Sequence, residues 1–154
     1  MTDLPYRPCV GVVLVNRDGQ IFTAERLDRP GAWQMPQGGV DEGEGLEEAA
    51  LRELEEEISV PASAVKVLRQ TSNWIAYDLP PELIGVAWSG KFRGQKQHWF
   101  LLELTGSEEL INLETEHPEF TRWKWSSREE LINEIVDFKR DVYMKVAEEL
   151  LPMS

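Results

Sequence analysis

Residues Gly38 to Val60 read GGVDEGEGLEEAALRELEEEISV, a glycine-rich turn running into a segment dense in carboxylates. Ala50, Leu51, Leu54 and Ile58 fall on one side when positions advance by about 100° per residue, which predicts a helix from about Gly45 to Ile58, closed by Pro61. On that helix Glu53, Glu56 and Glu57 share an arc of about 100° bordering the apolar side, while Glu48 and Glu55 point away from it. A solvated acidic face is the ordinary reading of such a helix. Two costs oppose it here. Glu53 repels Glu56 and Glu57 at i,i+3 and i,i+4, each pair by roughly 0.2 to 0.5 kcal/mol. All three also crowd the C-terminal turns, where the helix dipole disfavours negative charge. A hard, oxygen-seeking cation such as Mg²⁺ or Mn²⁺ removes both objections and bridges to phosphate oxygens. The preceding loop is no phosphate cradle, because it lacks the Gly-Lys-Ser/Thr ending and carries acids; its glycines suit a tight turn close to a metal.

The same segment organises the charge of the chain. Over 154 residues, 28 Asp and Glu oppose 16 Lys and Arg, a net −12. Nine acids and a single base, Arg52, lie between Asp41 and Glu57, so −8 of that total sits in 17 residues. A chain of this length, 42% apolar and 29% charged, fits one soluble domain, read as residues 1–154. No run approaches the ~18 apolar residues that cross a bilayer, and the first residues lack the apolar core of a secretory signal, so the cytoplasm is the expected compartment. Cys9 is the only cysteine, which excludes an intramolecular disulfide and all but excludes a Cys-based zinc site; it is expected to pack as a small hydrophobe. The acidic total argues against broad binding to duplex DNA or RNA, but not against gripping one nucleotide end.

Working outward, Cys9–Asn16 and Gln20–Glu25 read as a hairpin about Arg17-Asp18-Gly19, and Asp28–Gly39 as a loop held by Pro30, Gly31 and Pro36 with Trp33 and Met35 anchored in the core. Val65–Thr71, Trp74–Leu79, His98–Leu104 and Phe120–Trp125 read as strands. Ser127 with Glu130 makes a capping box that opens a helical region running to about Leu150. Strands and helices mix without a regular βαβ rhythm, which gives an α/β class with helices packed on a mixed sheet.

The spacing Gly38, five residues, Glu44, seven residues, Arg52-Glu53-Leu54-Glu55-Glu56-Glu57-Ile58-Ser59-Val60 resembles the Nudix box, G-x5-E-x7-R-E-U-x-E-E-x-G-U, with U aliphatic. The one departure is Ser59 in place of glycine. A glycine there ends the helix in a left-handed conformation, so Ser59 is expected to carry strain of about 1 kcal/mol without loss of a side-chain ligand. Tyr6-Arg7-Pro8, Arg26, Trp33 to Gly39, Gly94-Gln95-Lys96-Gln97, Trp99-Phe100, Pro118-Glu119-Phe120, Trp123 and Phe138 to Tyr143 extend the similarity to the bacterial RNA pyrophosphohydrolases and their relatives, the asymmetric diadenosine tetraphosphate hydrolases. Arg26-Leu27-Asp28 and Trp74 to Pro81 lean toward the latter.

That resemblance implies a Nudix fold, an α/β/α sandwich with the box as loop and helix, and hydrolysis of a phosphoanhydride with a divalent cation. It implies that Glu53, Glu56 and Glu57 are metal ligands, that Glu119 reaches the metal cluster or its water from a distant loop, and that Arg52 orients the box carboxylates. By the same resemblance Arg26 and Phe138 sandwich the first base, Arg7 and Lys139 help hold the phosphates, and Lys96 serves substrate binding. Tyr77 has two readings, a nucleobase stacker or a packed strand tyrosine. The proton of the attacking water goes to Glu56 or Glu119, a choice left open. The acid-free stretch from Leu83 to Leu102 carries Lys91, Arg93 and Lys96; for Lys91 and Arg93 an exposed hairpin tip and a phosphate contact are readings of equal weight.

The implied substrates are the 5′-triphosphate end of RNA, releasing pyrophosphate, and dinucleoside polyphosphates such as diadenosine tetraphosphate. Two rivals differ in class. A housecleaning enzyme would turn over free modified nucleoside triphosphates; a silent nucleotide-sensing module would lack turnover, and the intact Glu53, Glu56 and Glu57 count against it.

Overall fold

In the computed structural model, residues 4–84 and 90–151 are described; Trp88 of the acid-free stretch lies outside them. Ten residues of β1 (Tyr6–Val15) form the middle of an eight-stranded sheet. β1 turns at Gly19, whose φ is 78°, into β2 (Ile21–Arg26), yet the two strands pair only at Val15 and Ile21. On its other side β1 runs parallel to β7 (Gly94–Leu104) from Tyr6 against Gly94 to Val15 against Glu103. β7 in turn carries β5 (Val65–Gln70) and β6 (Ile75–Asp78), both antiparallel, and β8 (Phe120–Ser126) pairs with β2. β7 therefore begins four residues before the predicted His98, because Gly94 to Gln97 pair with β6 as well as β1.

The expected loop from Asp28 to Gly39 contains two short strands, β3 (Trp33–Gln34) on β2 and β4 (Gln37–Gly39) on β1. Local sequence hides them, since Pro36 and two glycines mask segments whose pairing is wholly long-range. Met35 is fully buried, whereas Trp33 is only half-buried beneath Arg122 and Lys124. The C-terminal helical region is also not continuous. Ser127 caps α2 (Arg128–Asn133) through the capping box, and α3 (Arg140–Leu150) begins only after a 3₁₀ turn at Asp137–Lys139.

Each face of the sheet has its own core, which makes the α/β/α sandwich. Val10, Val12, Leu14, Phe22, Phe100 and Leu102 point to α1 (Leu46–Ile58) and meet its Ala49, Ala50, Leu54 and Ile58. Val13, Val15, Ile21, Trp99 and Leu101 point the other way, to Leu131 of α2 and Val142, Tyr143, Val146 and Leu150 of α3. Cys9 is buried at the start of β1.

Ser59 ends α1 at φ 67°, the left-handed conformation that glycine adopts freely. Its hydroxyl donates to the carbonyl of Asn112 at 2.9 Å, and Asn112 N donates to the Ile58 carbonyl at 3.0 Å. The side chain so recovers part of the strain by tying the helix end to the 111–119 loop. Ser59→Gly is expected to be nearly neutral, within ~0.5 kcal/mol, as relief of strain offsets the lost hydrogen bond. Ser59→Ala keeps the strain and loses the bond, and urea unfolding should show about 1 kcal/mol of destabilisation.

Candidate active site

Because β1 and β2 meet at one end only, their other ends part, and β3 and β4 run along the two sides of the gap. A cleft of about 920 Å³ opens there, walled by α1, by β6 and β7, by the loop carrying Thr115 to Glu119, and by Phe138 and Lys139. Of the residues singled out from the sequence, Arg7, Arg26, Glu53, Glu56, Glu57, Tyr77, Glu119, Phe138 and Lys139 all line it.

Helical periodicity turns Glu57 into the buried side of α1, where it is only 8% exposed and its Oε2 accepts the Gln37 N–H at 3.3 Å. Burial, and then the charges of Glu53 and Glu119, push its carboxyl well above the usual carboxylate range. Burial raises Glu53 too, against the pull of Arg52. Gly38 is glycine for a local reason: a Cβ there would land on the Glu53 carboxylate. Glu56 is exposed, and so is Glu119, whose backbone carbonyl accepts from Leu27 N at 2.9 Å.

Arg52 acts inside the box. Its Nε and Nη2 grip both oxygens of Glu44 at 2.7 and 2.9 Å, Nη2 also donates to the Gly39 carbonyl at 2.9 Å, and Nη1 spans Glu53 Oε1 and Glu56 Oε2 at 3.0 Å each. The guanidinium holds the Glu44 carboxyl down to about 2. Loop and helix are thereby locked in one register.

The opposite wall is cationic and aromatic. Arg7 lies against Gly39 with Nη1 at 3.4 Å from Cys9 Sγ, and Arg26 is held bidentate by Asp28 at 2.9 and 2.7 Å. Lys139 is buried, its ammonium 5.9 and 6.0 Å from the rings of Tyr77 and Phe138, and burial followed by the charge of Arg26 lowers its pKa to about 8. Tyr77 is a packed strand residue, buried, with its hydroxyl donating to Gln95 Oε1 at 2.9 Å.

Two cations of the acid-free stretch go elsewhere. Strand alternation turns Lys96 away from Gln95 and Gln97; its ammonium sits 4.7 Å over the Trp74 ring and does not line the cleft. Arg93 is committed to Asp78 by two 3.0 Å hydrogen bonds and stacks over Tyr6. Sequence reading assigned no individual site role to Gln34, Thr115 or Arg29, which also line the cleft. Gln34 and Thr115 each place a buried side-chain oxygen without a protein partner in the lining, and Arg29 stands at the rim. Polar residues in turns and short strands give no local signal of that placement.

The donor set fits a divalent cation. A nearly buried carboxylate beside two further acids is costly unless a cation or protons neutralise it, and carboxylate oxygens are the ligands that hard cations take. Among the described residues no three such groups already converge as ligands, since Arg52 holds Glu53 and Glu56. Exposed Glu56 lies on the same arc of α1 as Glu53 and Glu57 and lines the same cleft.

A Nudix domain signature covers residues 5–146. The chain belongs to the Nudix family. This Nudix hydrolase is 53% identical to an RNA pyrophosphohydrolase of Cereibacter sphaeroides over 97% of its own length and 93% of that protein's. It is 51% identical to one from Roseobacter denitrificans, over 93% and 90% of the two chains. Among solved structures, a dihydroneopterin triphosphate pyrophosphohydrolase from E. coli superposes with a TM-score of 0.72 at 22% identity, over 92% of this chain and 96% of that one. An Ap4A hydrolase from C. elegans follows at 0.65 and 18%, over 91% and 96%. These two share the fold. Hydrolases of this family work with divalent metal ions, and no helix of the described residues is long and apolar enough to cross a membrane.

Proposed function

We propose that this chain is one enzymatic domain, residues 1–154, that acts in the cytoplasm and removes pyrophosphate from the 5′-triphosphate end of RNA. The observation that carries this is the half-identity to RNA pyrophosphohydrolases over nearly all of both chains, with Glu53, Glu56 and Glu57 intact at one wall of the cleft. Dinucleoside polyphosphates are the second substrate class, favoured by the resemblance of the Arg26-Leu27-Asp28 turn, in which Asp28 holds the cleft-lining Arg26.

Glu53, Glu56 and Glu57 would hold the divalent ion, Mg²⁺ by preference with Mn²⁺ as substitute, and Glu119 would reach toward it. When bound, the ion supplies charge neutralisation for the polyphosphate and acidifies a water. Arg52 keeps the box carboxylates in register. Arg7 and Lys139 neutralise phosphate oxygens from the opposite wall, Arg26 and Phe138 hold the base, and Glu56 or Glu119 accepts the proton of the attacking water. Because phosphoryl transition states are loose, this positioning of charge supplies most of the acceleration.

The deciding measurement is kcat/KM on a triphosphorylated short RNA beside diadenosine tetraphosphate with Mg²⁺. More than tenfold preference for RNA, about 1.4 kcal/mol, is expected. The reverse preference would move the chain to the second class, and efficient turnover of free modified nucleoside triphosphates alone would make it a housecleaning enzyme.

Lys139 adds a pH prediction. Its folded pKa of about 8 lies below the unfolded value of 10.5. Below pH 8 both states are charged and burial costs stability in full. Between about 8 and 10.5 the folded state loses its proton first, so stability rises with pH in that window. Binding should change in the opposite direction, with kcat/KM falling above pH 8 as the ammonium is lost. Lys139→Met should flatten both profiles and stabilise the protein at pH 7 by about 1 kcal/mol or more. Thermal melts and initial rates from pH 6 to 10 check both.

A further inference from the structure

A second hollow, of about 420 Å³, shares one lining residue with the cleft, Arg29. The other walls are Pro30 to Ala32 and residues 133–137, with Arg140 at the start of α3. Arg29 is exposed and, among the described residues, forms no salt bridge; its charge registers at Asp28, whose carboxylate is already held by Arg26. Its backbone is fixed all the same, with Arg29 N donating to the Arg26 carbonyl at 3.4 Å and Ala32 N donating to the Arg29 carbonyl at 3.1 Å. An arginine with a braced backbone and an uncommitted guanidinium therefore stands where the two hollows join.

The surroundings differ from the rest of this acidic chain. Among the described residues, the two carboxylates that line the second hollow are already paired, Glu134 with Lys124 at 2.7 Å and Asp137 with Arg140 at 2.9 Å, and Glu25 pairs with Arg122 at 2.8 Å. Arg122 and Lys124 also cover Trp33, at 5.1 and 4.6 Å from its ring, next in the chain to the hollow's Ala32. Lys124 is also shared with Glu130 at 3.5 Å, so the flank is near neutral locally, and among the described residues Arg29 is left there without an ion-pair partner. A polyanion leaving the cleft past any acidic edge would be repelled; past Arg29 it would not.

We propose that this hollow is the exit path of the RNA chain, with Arg29 and then Arg140 contacting the phosphodiesters downstream of the 5′ end. The proposal rests on the RNA reading of the cleft. A guanidinium presents a fork of donors to phosphate oxygens, and contacts of this kind carry affinity without sequence preference. A mononucleotide or a dinucleoside polyphosphate has no phosphodiester to place there.

The test is Arg29→Gln, an exposed position whose loss should not disturb folding, assayed on a triphosphorylated RNA hexamer and on diadenosine tetraphosphate at several salt concentrations. The loss in kcat/KM should be at least fivefold larger for the RNA, and its salt dependence should become shallower by about 0.7 in log–log slope, as expected for one lost single-strand phosphate contact. Arg140→Gln should repeat the pattern; its unfolding curve separates this from loss of the Asp137 and Ile132 carbonyl contacts. Equal effects of Arg29→Gln on both substrates, including no effect on either, would overturn the exit path while leaving the RNA reading intact. A parent enzyme inactive on the RNA hexamer but active on the dinucleotide would instead overturn the reading on which the path rests.

Discussion

Glu57→Gln is expected to lower kcat on the order of 10³-fold, equivalent to about 4 kcal/mol of transition-state stabilisation, with a small change in KM. The substitution keeps the shape of the side chain and its acceptor for the Gln37 N–H, so the helix and β4 should stay in place. What it removes is the charge. In the absence of metal that charge is a burden, because Glu57 is buried beside Glu53 and Glu119. The variant should therefore melt higher than the parent without metal. Millimolar Mg²⁺ should raise the melting temperature of the parent by several degrees, roughly 2 to 4 °C per kcal/mol of binding, and leave the variant unmoved. Opposite effects on stability and turnover from one isosteric change would be hard to obtain from a residue that merely packs. Equal, metal-independent rates for parent and variant would instead place the chain among silent sensors.

Trp99→Ala should cost about 4 kcal/mol, a large share of the 5 to 15 that holds a domain together, and lower the melting temperature by about 10 °C. Trp99 is fully buried on the α3 side of the sheet, edge-on to Tyr143 at 5.6 Å, and fits only because its parallel partner Gly11 has no side chain. The residue also connects the core to the cleft. Its Nε1 donates to Gln97 Oε1 at 3.0 Å, and Gln97 Nε2 donates to Gln95 at 2.9 Å and Gln37 at 3.2 Å. Gln37 in turn donates its N–H to Glu57. Trp99→Phe keeps most of the volume and loses the first hydrogen bond. It should cost less than half as much stability yet still reduce kcat severalfold, as the chain of amides supporting the Glu57 wall relaxes. Urea titrations and steady-state rates on the two variants separate packing from positioning.

The acidic helix shows how much can be taken from one stretch. Its apolar repeat placed Ala50, Leu54 and Ile58 against the sheet, where they are buried. The same arithmetic set Glu57 at the edge of that face. It did not show that Glu57 would be nearly as buried as its apolar neighbours, because burial depends on β4 and the 111–119 loop closing over the helix. Ser59 was legible as a left-handed position occupied by the wrong residue, but its bond to Asn112, 53 positions away, was not. Lys96 shows the opposite outcome. Its motif neighbour Gln95 lines the cleft and buried Gln97 bonds to Gln95 and Gln37 behind it, while the two-residue period of β7 turns Lys96 to the far face.

Local periodicity and fixed spacings thus determined the fold class, the acidic helix and the box that Arg52 ties together, since those contacts lie within about a dozen residues of one another. Only the tertiary structure decided where β1 and β2 part, that β3 and β4 exist, which cations face the carboxylates, and that Arg29 joins the cleft to a second hollow. Each of those outcomes depends on pairing between residues far apart in the chain, where the energy comes from burial and hydrogen bonds that no short window contains.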